Sequence, residues 1–530
     1  MRVALIQCPV WGTREPPLSI VQLSACLKAG GHEVHSVDLN NRLYRDRTEN
    51  LKTLWAWEQS LFWYDRNSVR KFFTEHSAAI GSLARDVLSK DPSVVCFSLA
   101  ASSYHSSVEF AVILRKLAPS IKIVFGGQLF CDGSYIEKAF NESPVDFIVQ
   151  GEGDSTVPEL ASTIESGGDL SKCPGIFIRE NGAIACTGPR KPLEDLNSLP
   201  YMDFSDLRLE DYDDCRHILM MSSRGCVWNC AFCSSRSFWE GYRYMSAERM
   251  HQEIVFHKLN QSKDMSHVDF ADLALNGNME RVKEFCELML KYPPYPSNCK
   301  MQWISNAIIH PGLTKDVLSL MARAGCQRLI FGIESGSKNV LKHMKKMYNP
   351  EIALRVIKDA HSAGIKVTCN FMFGFPGETE EDFNETLKFL ECIAPYVERV
   401  YPSRTYCAIE EFSYLHKHPE EFGIKTPFSH HLYWESTDGK NTYPVRLGRC
   451  QKFEELCDKL GVQVDCGVKT SVQLDEWFNL GHYYDFRKEY KNALKYFIKY
   501  SEFNAENEIV SNKIKDLTEK MTLNGPDPGV

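Results

Sequence analysis

Arg224-Gly225-Cys226-Val227-Trp228-Asn229-Cys230-Ala231-Phe232-Cys233 is the stretch on which the reading of this chain turns. It is a C-x3-C-x2-C run set directly after an apolar segment, 218–222, that reads as a strand. Three thiolates on one loop can hold three irons of a cubane [4Fe–4S] cluster. Four ligands are the usual complement, so three leave one iron open to a substrate. A structural zinc site would need a fourth ligand nearby to close its tetrahedron, and Cys215 and His217 are upstream candidates. The 19 cysteines are scattered along the chain, and the opening run Met1-Arg2-Val3-Ala4-Leu5-Ile6 is too short for a signal peptide. That pattern predicts reduced cytoplasmic thiols with a metal site rather than a disulfide scaffold.

Downstream of the triplet, strand-like segments at 268–271, 301–304, 328–332, 367–373 and 397–401 alternate with helical spacing. Repeated strand–helix units without a dinucleotide-binding fingerprint predict a full or partial barrel over 216–425, with its site at the strand carboxyl ends. Upstream, segments 3–7, 34–39, 93–99, 121–125 and 146–149 alternate with helices and predict a doubly wound parallel sheet over 1–175. Ligands of such sheets sit beyond the strand carboxyl ends. Gly126-Gly127 and Gly151-Glu152-Gly153 fall there, where glycine lets backbone approach a ligand closely. The fold class is α/β. Between these parts, 176–215 reads as a hairpin, centred on Asn181-Gly182, and a linker.

An aromatic insertion at 54–73 carries Trp55, Trp57, Phe62, Trp63, Tyr64, Phe72 and Phe73. It reads as an amphipathic helix packed on the core or as a lid over a ligand, and periodicity does not separate the two. The C-terminal region, 426–530, places Trp477, Leu480, Gly481, Tyr484, Ala493 and Phe497 at the spacing of one tetratricopeptide-like repeat, about 474–506. That repeat is expected to pack as a cap, with a protein partner as the second reading. Cys450, Cys457 and Cys466 cluster nearby, but their spacing matches no iron–sulfur pattern and they read as scattered thiols.

Composition sets outer bounds. At ~150 residues per domain, 530 residues predict three to four domains. A hydrophobic fraction of 43% and a charged fraction of 25% exclude a mostly disordered or low-complexity chain. A net charge of -8 disfavours a nucleic-acid partner. No window reaches the ~18 apolar residues of a transmembrane segment.

In its triplet, placed at the end of the first barrel strand, the chain resembles the radical S-adenosylmethionine superfamily. The resemblance implies that Cys226, Cys230 and Cys233 are the cluster ligands and catalytic residues, with the open iron holding the amino and carboxylate groups of S-adenosylmethionine. Three further segments carry it: Val268-Asp269-Phe270-Ala271-Asp272, Phe331-Gly332-Ile333-Glu334-Ser335-Gly336 and Phe371-Met372-Phe373-Gly374-Phe375-Pro376-Gly377-Glu378. By the same resemblance Phe232, Asp269, Asp272, Glu334, Ser335 and Gly374 are S-adenosylmethionine contacts. The second segment lacks the superfamily's commoner Gly-Gly-Glu. Pro402-Ser403-Arg404-Thr405 stands where relatives often carry Pro-Gly-Thr.

The doubly wound domain ahead of the barrel is similar to that of the cobalamin-binding subclass. The likeness implies cobalamin contacts at Ser98, Ser102, Ser103, Tyr104, Gly126, Gly127, Gln128, Gly151, Glu152 and Gly153. The loop Cys8-Pro9-Val10-Trp11-Gly12-Thr13-Arg14-Glu15-Pro16-Pro17 has no His, so no lower cobalt ligand is expected from it. The implied function is methylation of an unactivated carbon of a small-molecule or lipid-like substrate, with electrons from an external flavodoxin- or ferredoxin-type donor. A cyclase or rearrangement enzyme without methyl transfer is the second reading. A non-catalytic cobalamin- or metal-binding regulator is the third.

Overall fold

The fold is described from a computed structural model covering residues 1–46, 53–55, 60–131, 133–180, 182–260, 264–294, 301–428, 430–465, 469–504 and 507–524. Trp57, Asn181 and Cys466 lie outside these residues, as do the last two residues of the 474–506 repeat. The chain divides into two compact units. One holds Met1–Val227, Ser235–Ile308 and Asp316–Leu329; the other holds Trp228–Ser234, Ile309–Lys315 and Ile330–Val530.

The first unit opens on a seven-stranded sheet. Its strands are β1 (Arg2–Gln7), β2 (Glu33–Asp38), β3 (Val94–Ser98), β4 (Lys122–Gly126), β5 (Phe147–Val149), β6 (Ile176–Glu180) and β7 (Ala183–Cys186), in the order β2-β1-β3-β4-β5-β6-β7. The first five run parallel, and β6 and β7 add an antiparallel hairpin beyond β5. The hairpin expected at 176–185 therefore extends this sheet. Every residue of β1 after Arg2 is buried, because both faces are covered. Alternation assigns Val3 and Leu5 to one face and Ala4 and Ile6 to the other. Val3 and Leu5 pack with Ile20, Leu27, Val157 and Leu160 of the helices Leu18–Ala29 and Gly153–Ser166. Ala4 and Ile6 join a larger core with Phe110 and Leu114 of the helix Tyr104–Leu117. The strand order reverses at β1, which pairs with β2 on one side and β3 on the other. That switch point is where ligands of such sheets bind.

The aromatic insertion joins the larger core. Trp63 is fully buried, with Trp55 and Phe72 edge-on to it at 5.2 and 5.5 Å. Both indole N–H groups are satisfied, Trp55 by Asn40 and Trp63 by the Leu54 carbonyl, each at 2.7 Å. These rings are core, which is the packed-helix reading.

After the hairpin the first unit carries β8 (His217–Met220), the short antiparallel pair β9 (Ser223–Arg224) and β10 (Arg243–Tyr244), then β11 (His267–Phe270) and β12 (Gln302–Ala307). β11 pairs in parallel with β8 on one side and β12 on the other. The strand β13 (Cys326–Glu334) runs from the first unit into the second. The second unit continues with β14 (Lys366–Phe371), β15 (Arg399–Pro402) and β16 (Gln463–Val464), all parallel. The sequence places six of these strands within a few residues and does not show β9, β10 or β16, each two residues long.

The repeat-like segment forms two helices, Lys469–Phe486 and Tyr490–Phe503. Gly481 leaves room for the Phe497 ring, which a Cβ there would meet at 2.6 Å. A third helix, Glu508–Asn524, closes the group by adding Val510 and Leu517 to the core around Ala493, Phe497 and Tyr500. The repeat thus does not have to bury its faces alone. Cys450 and Cys457 are buried thiols of the helix Tyr443–Leu460. Burial pushes Cys457 up to about 12, as for an inert core thiol.

Candidate functional site

The first unit contains a cavity of about 360 Å³ at the carboxyl ends of β1, β3, β4 and β5. Seven residues singled out in the sequence line it: Ser98, Gly126, Gly127, Gln128, Gly151, Glu152 and Gly153. The glycines are there for steric reasons. Gly127 has φ +122°, and a Cβ on it would lie 2.3 Å from the Leu99 carbonyl oxygen. Gly151 has φ +79°, and a Cβ there would point into open space. Leu219, Met221 and Ala271, from the ends of β8 and β11, close the cavity opposite, together with Phe238 and Trp239.

Ser102, Ser103 and Tyr104 are placed elsewhere. Ser102 donates to the Val10 carbonyl at 3.0 Å. Ser103 is fully buried and caps the turn ahead of its helix, accepting from Ala100 N–H at 3.1 Å. Tyr104 is buried in the larger core, its hydroxyl 3.3 Å from Glu142. The loop leaving β3 turns into the helix before the trio reaches the cavity lining. Trp11, from the His-free loop after β1, does line it, the residue being 42% exposed, and nothing in the sequence gave it a role. Asn40 fixes that loop, accepting from Trp11 N–H at 3.1 Å and donating to the Trp11 and Gly12 carbonyls.

The cysteine loop is anchored at its start. Arg224 makes a two-pronged pair with Asp154, at 2.7 and 2.9 Å, and a bond to Glu152 at 2.5 Å. All three side chains are buried. Arg243 adds a second cation to Glu152, and Trp239 lies beneath the Arg224 guanidinium at 5.1 Å. Gly225 follows at φ +79°, where a Cβ would sit 1.7 Å from the Gly241 carbonyl oxygen. Only glycine passes there. Behind this turn Asp272 is wholly buried and accepts from Ser222 N–H at 3.0 Å, the Ser222 hydroxyl at 2.9 Å and the Ser223 hydroxyl. Burial pushes its carboxyl up, opposed by Arg281 and these bonds. Asp272 therefore orders the strand that delivers the cysteines instead of presenting a free carboxylate. Asp269, two layers earlier on β11, is buried beside His217.

Cys226 belongs to the first unit, one residue before this segment ends at Val227, and Cys230 and Cys233 belong to the second. All three thiols are partly exposed, unlike the buried thiols of Cys8, Cys96, Cys286 and Cys407, whose burial pushes them up. Cys233 N–H donates to the Cys230 carbonyl at 3.2 Å, a tight turn that Ala231 N–H fastens to the Met344 carbonyl at 3.0 Å.

In the second unit Glu334 ends β13 at φ 64°, the left-handed region that non-glycine residues rarely occupy. Such strain gathers at functional sites. The carboxylate turns back over Gly332, whose absent Cβ would lie 2.5 Å from Oε1, and pairs with Lys346 at 3.1 Å. Lys346 also lies over the Trp228 and Phe232 rings at 5.6 and 5.5 Å, so Phe232 and Glu334 share one cation. Lys346 has no motif around it, and sequence reading did not find it. Ser335 is buried and engaged internally, with Thr386 at 3.0 Å and Ser337 N–H at 3.1 Å. Gly374 has φ +72°. Its N–H donates to Glu378 at 2.6 Å and its carbonyl accepts from Asn441 at 2.9 Å. Glu378 is paired with Arg449 at 2.7 Å, yet burial pushes its carboxyl up to about 7.

Comparison with known proteins sets this geometry in a class. Residues 220–390 match the family model of the Radical SAM superfamily. Among individual relatives, an uncharacterized methyltransferase of Pyrococcus horikoshii is 25% identical over 72% of this chain and 74% of its own length. The anaerobic magnesium-protoporphyrin IX monomethyl ester cyclase of Synechocystis sp. is 29% identical over 55% and 57%. The hopanoid C-3 methylase of Methylococcus capsulatus is 23% identical over 68% and 61%. The chain thus spans less than two thirds of the latter two. Of solved structures, the radical S-adenosylmethionine methyltransferase TsrM from Kitasatospora setae, with cobalamin and a [4Fe–4S] cluster bound, superposes with a TM-score of 0.57 at 16% identity. That match covers 80% of this chain and 76% of that one. The cobalamin-dependent S-adenosylmethionine radical enzyme OxsB, with aqua-cobalamin and S-adenosylmethionine bound, does so at 0.58 and 18% identity, covering 98% and 70%. The fold is that of these proteins. The comparisons support an enzyme over a regulator, and the resemblance read from the cysteine triplet is found again in them. Among the described residues no helix is long and apolar enough to cross a membrane.

Proposed function

We propose that this chain is a cobalamin-dependent radical S-adenosylmethionine enzyme that methylates an unactivated carbon. The observation that carries the reading is the pairing of a partly exposed C-x3-C-x2-C loop with a glycine-cornered cavity at the switch point of a doubly wound sheet. Methylases among the relatives add support. The residues fit the groups invoked. Three thiols on one loop suit an open-sited cluster. The cavity has an apolar floor, and a Cβ on its corner glycine Gly151 would enter open space of the kind cobalamin would need. When bound, the cluster and S-adenosylmethionine supply a 5′-deoxyadenosyl radical, and cobalamin supplies the methyl group.

The chain's own residues bind, orient and shield. Cys226, Cys230 and Cys233 are the cluster ligands. Arg224 and Asp272 hold the strand end from which the first of them projects. Gly126, Gly127, Gly151 and Gly153 admit the cobalamin, while Ser98 and Gln128 offer polar contacts. Trp11, which lines the cavity, would shield a bound corrin from water. Glu334 would face S-adenosylmethionine, and Phe232 and Gly374 would border its adenine. The substrate is a small or lipid-like molecule, electrons come from a flavodoxin- or ferredoxin-type donor, and the C-terminal helices are the place for a protein partner.

A second reading, cyclisation or rearrangement without methyl transfer, is favoured by the similarity to the ester cyclase of Synechocystis. Product stoichiometry separates the two. Anaerobically reconstituted protein with reductant, substrate and methyl-labelled S-adenosylmethionine is expected to form 5′-deoxyadenosine, S-adenosylhomocysteine and a labelled product. Formation of 5′-deoxyadenosine without S-adenosylhomocysteine supports the cyclase. Loss of neither in Cys230→Ala rejects both readings.

A further inference from the structure

One layer below the cavity floor lies a second cluster of ligand-type groups. β8 and β11 pair in register, His217 with His267 and Leu219 with Asp269, so these four residues project from one face. Alternation carries the same face up to Met221 and Ala271, which line the cavity. The loop after β1 brings Glu15 to the spot. Ligand atoms of Glu15, His217 and Asp269 lie within 4.8 Å of one another.

The surroundings fix the imidazole. His217 Nε2 is 3.1 Å from Asp214 Oδ1, while the other oxygen of Asp214 accepts from Arg14 at 2.9 Å. Backbone bonds from Asp213 to Thr13 and from Asp214 to Arg14, 3.2 and 3.0 Å, hold the two segments together. The ring is stacked on His267, centroids 4.3 Å apart and planes within 11°. With Nε2–H donated to Asp214, Nδ1 presents a lone pair. It faces Asp269 Oδ1 at 3.5 Å, and both atoms are buried without a hydrogen-bond partner. Only 10% of the Asp269 side chain is exposed. Two buried acceptors aimed at each other are repulsive unless a cation lies between them.

We propose that Glu15, His217 and Asp269 bind a divalent first-row transition-metal ion. One imidazole and two carboxylates, without sulfur, form a nitrogen–oxygen donor set for such ions. A carboxylate on the far nitrogen of a ligating His is the usual outer support, and Asp214 supplies it. The ion fastens the loop that carries Trp11 to the neighbouring strands β8 and β11. It is a site separate from the cysteines, and it removes Asp269 from the S-adenosylmethionine contacts.

The test uses the full chain, stripped of iron by chelator under anaerobic reducing conditions, and Mn2+ alone as probe. Thiolates compete weakly for this ion. Free Mn2+ is followed by electron paramagnetic resonance, and thermal unfolding is recorded with and without it. Wild type and Cys226→Ser are each expected to take up one equivalent and to unfold at a higher temperature with Mn2+. Asp269→Asn, nearly isosteric, is expected to lose both effects. Glu15→Gln, on the loop, is expected to weaken binding by about tenfold or more, which covers the case in which Asp269→Asn folds poorly. No uptake by wild type overturns the proposal in favour of His217 held between Asp214 and Asp269 by hydrogen bonds alone. Uptake undiminished in both carboxylate variants overturns it as well. Neither readout depends on the radical chemistry, so its failure is distinct from that of the proposed function.

Discussion

Arg224 stands immediately before the cysteine loop and is the counter-charge of both Asp154 and Glu152. Removing one partner of a buried ion pair leaves uncompensated charge behind. Arg224→Ala is therefore expected to lower the stability of the first unit by about 3–5 kcal/mol, read as an earlier unfolding transition in denaturant. Arg224→Lys cannot restore the two-pronged geometry and should recover only part of it. Under the proposed function, both variants also reconstitute less iron, because the strand end that presents Cys226 is no longer held. The cysteine triplet itself was legible, since three thiols at fixed spacing are a local signal. The arginine stands beside it, but its two partners lie some 70 residues upstream, and the glycine corner that marks Glu152 gives no sign of the pairing.

At the scale of elements, two segments make separable predictions. The aromatic insertion is core, so Trp63→Ala should cost about 3–5 kcal/mol and expose the larger core without touching the cavity. A lid would instead have tolerated the change in stability and lost ligand. The helix Glu380–Ile393 starts with a capping box in which Thr379 and Asp382 satisfy each other's backbone N–H groups. Asp382 also accepts from the Ser337 hydroxyl at 2.7 Å. Burial alone would raise its carboxyl, but the hydroxyls of Ser337 and Thr379 outweigh that, and the group sits below its ordinary 3.8. A depressed carboxyl contributes stability above the unfolded value, and that stability is lost as pH falls through the folded one. Asp382→Ala should cost about 1–3 kcal/mol near neutral pH, and its unfolding curve should converge on that of wild type as the pH drops below 3.8.

At the scale of the whole molecule, the chain combines two ways of placing a site at strand ends. The doubly wound sheet opens a crevice where its order reverses between β1 and β3. The strand–helix repeat that follows delivers a thiol loop from the end of its first strand. Under the proposed function these supply the methyl-donor site and the radical site. Colour is a direct check on both. Anaerobic protein reconstituted with iron, sulfide and cobalamin should show cluster and corrin bands together. Cys233→Ala should lose the first and keep the second. An Ala at Gly127 should do the reverse, because a Cβ there collides with the Leu99 carbonyl.

The sequence alone determined the elements and their kind. Residues alternating on strands, helical spacing between them and glycine pairs at their ends are properties of neighbours along the chain. The α/β class, the strand segments and the cysteine loop could therefore be read without coordinates, while the order of strands within each sheet could not. Tertiary structure decided what each side chain is committed to. Ser103 and Tyr104 were within six residues of Ser98 yet turned into core. Asp272 proved to be a support for the strand end, and Glu334 was found closed on Lys346. His217 and Asp269, 52 positions apart, met Glu15 from a loop more than 200 positions earlier. Burial and pairing are set by groups distant in the chain, and a buried charge or lone pair must be answered by whatever the fold brings to it.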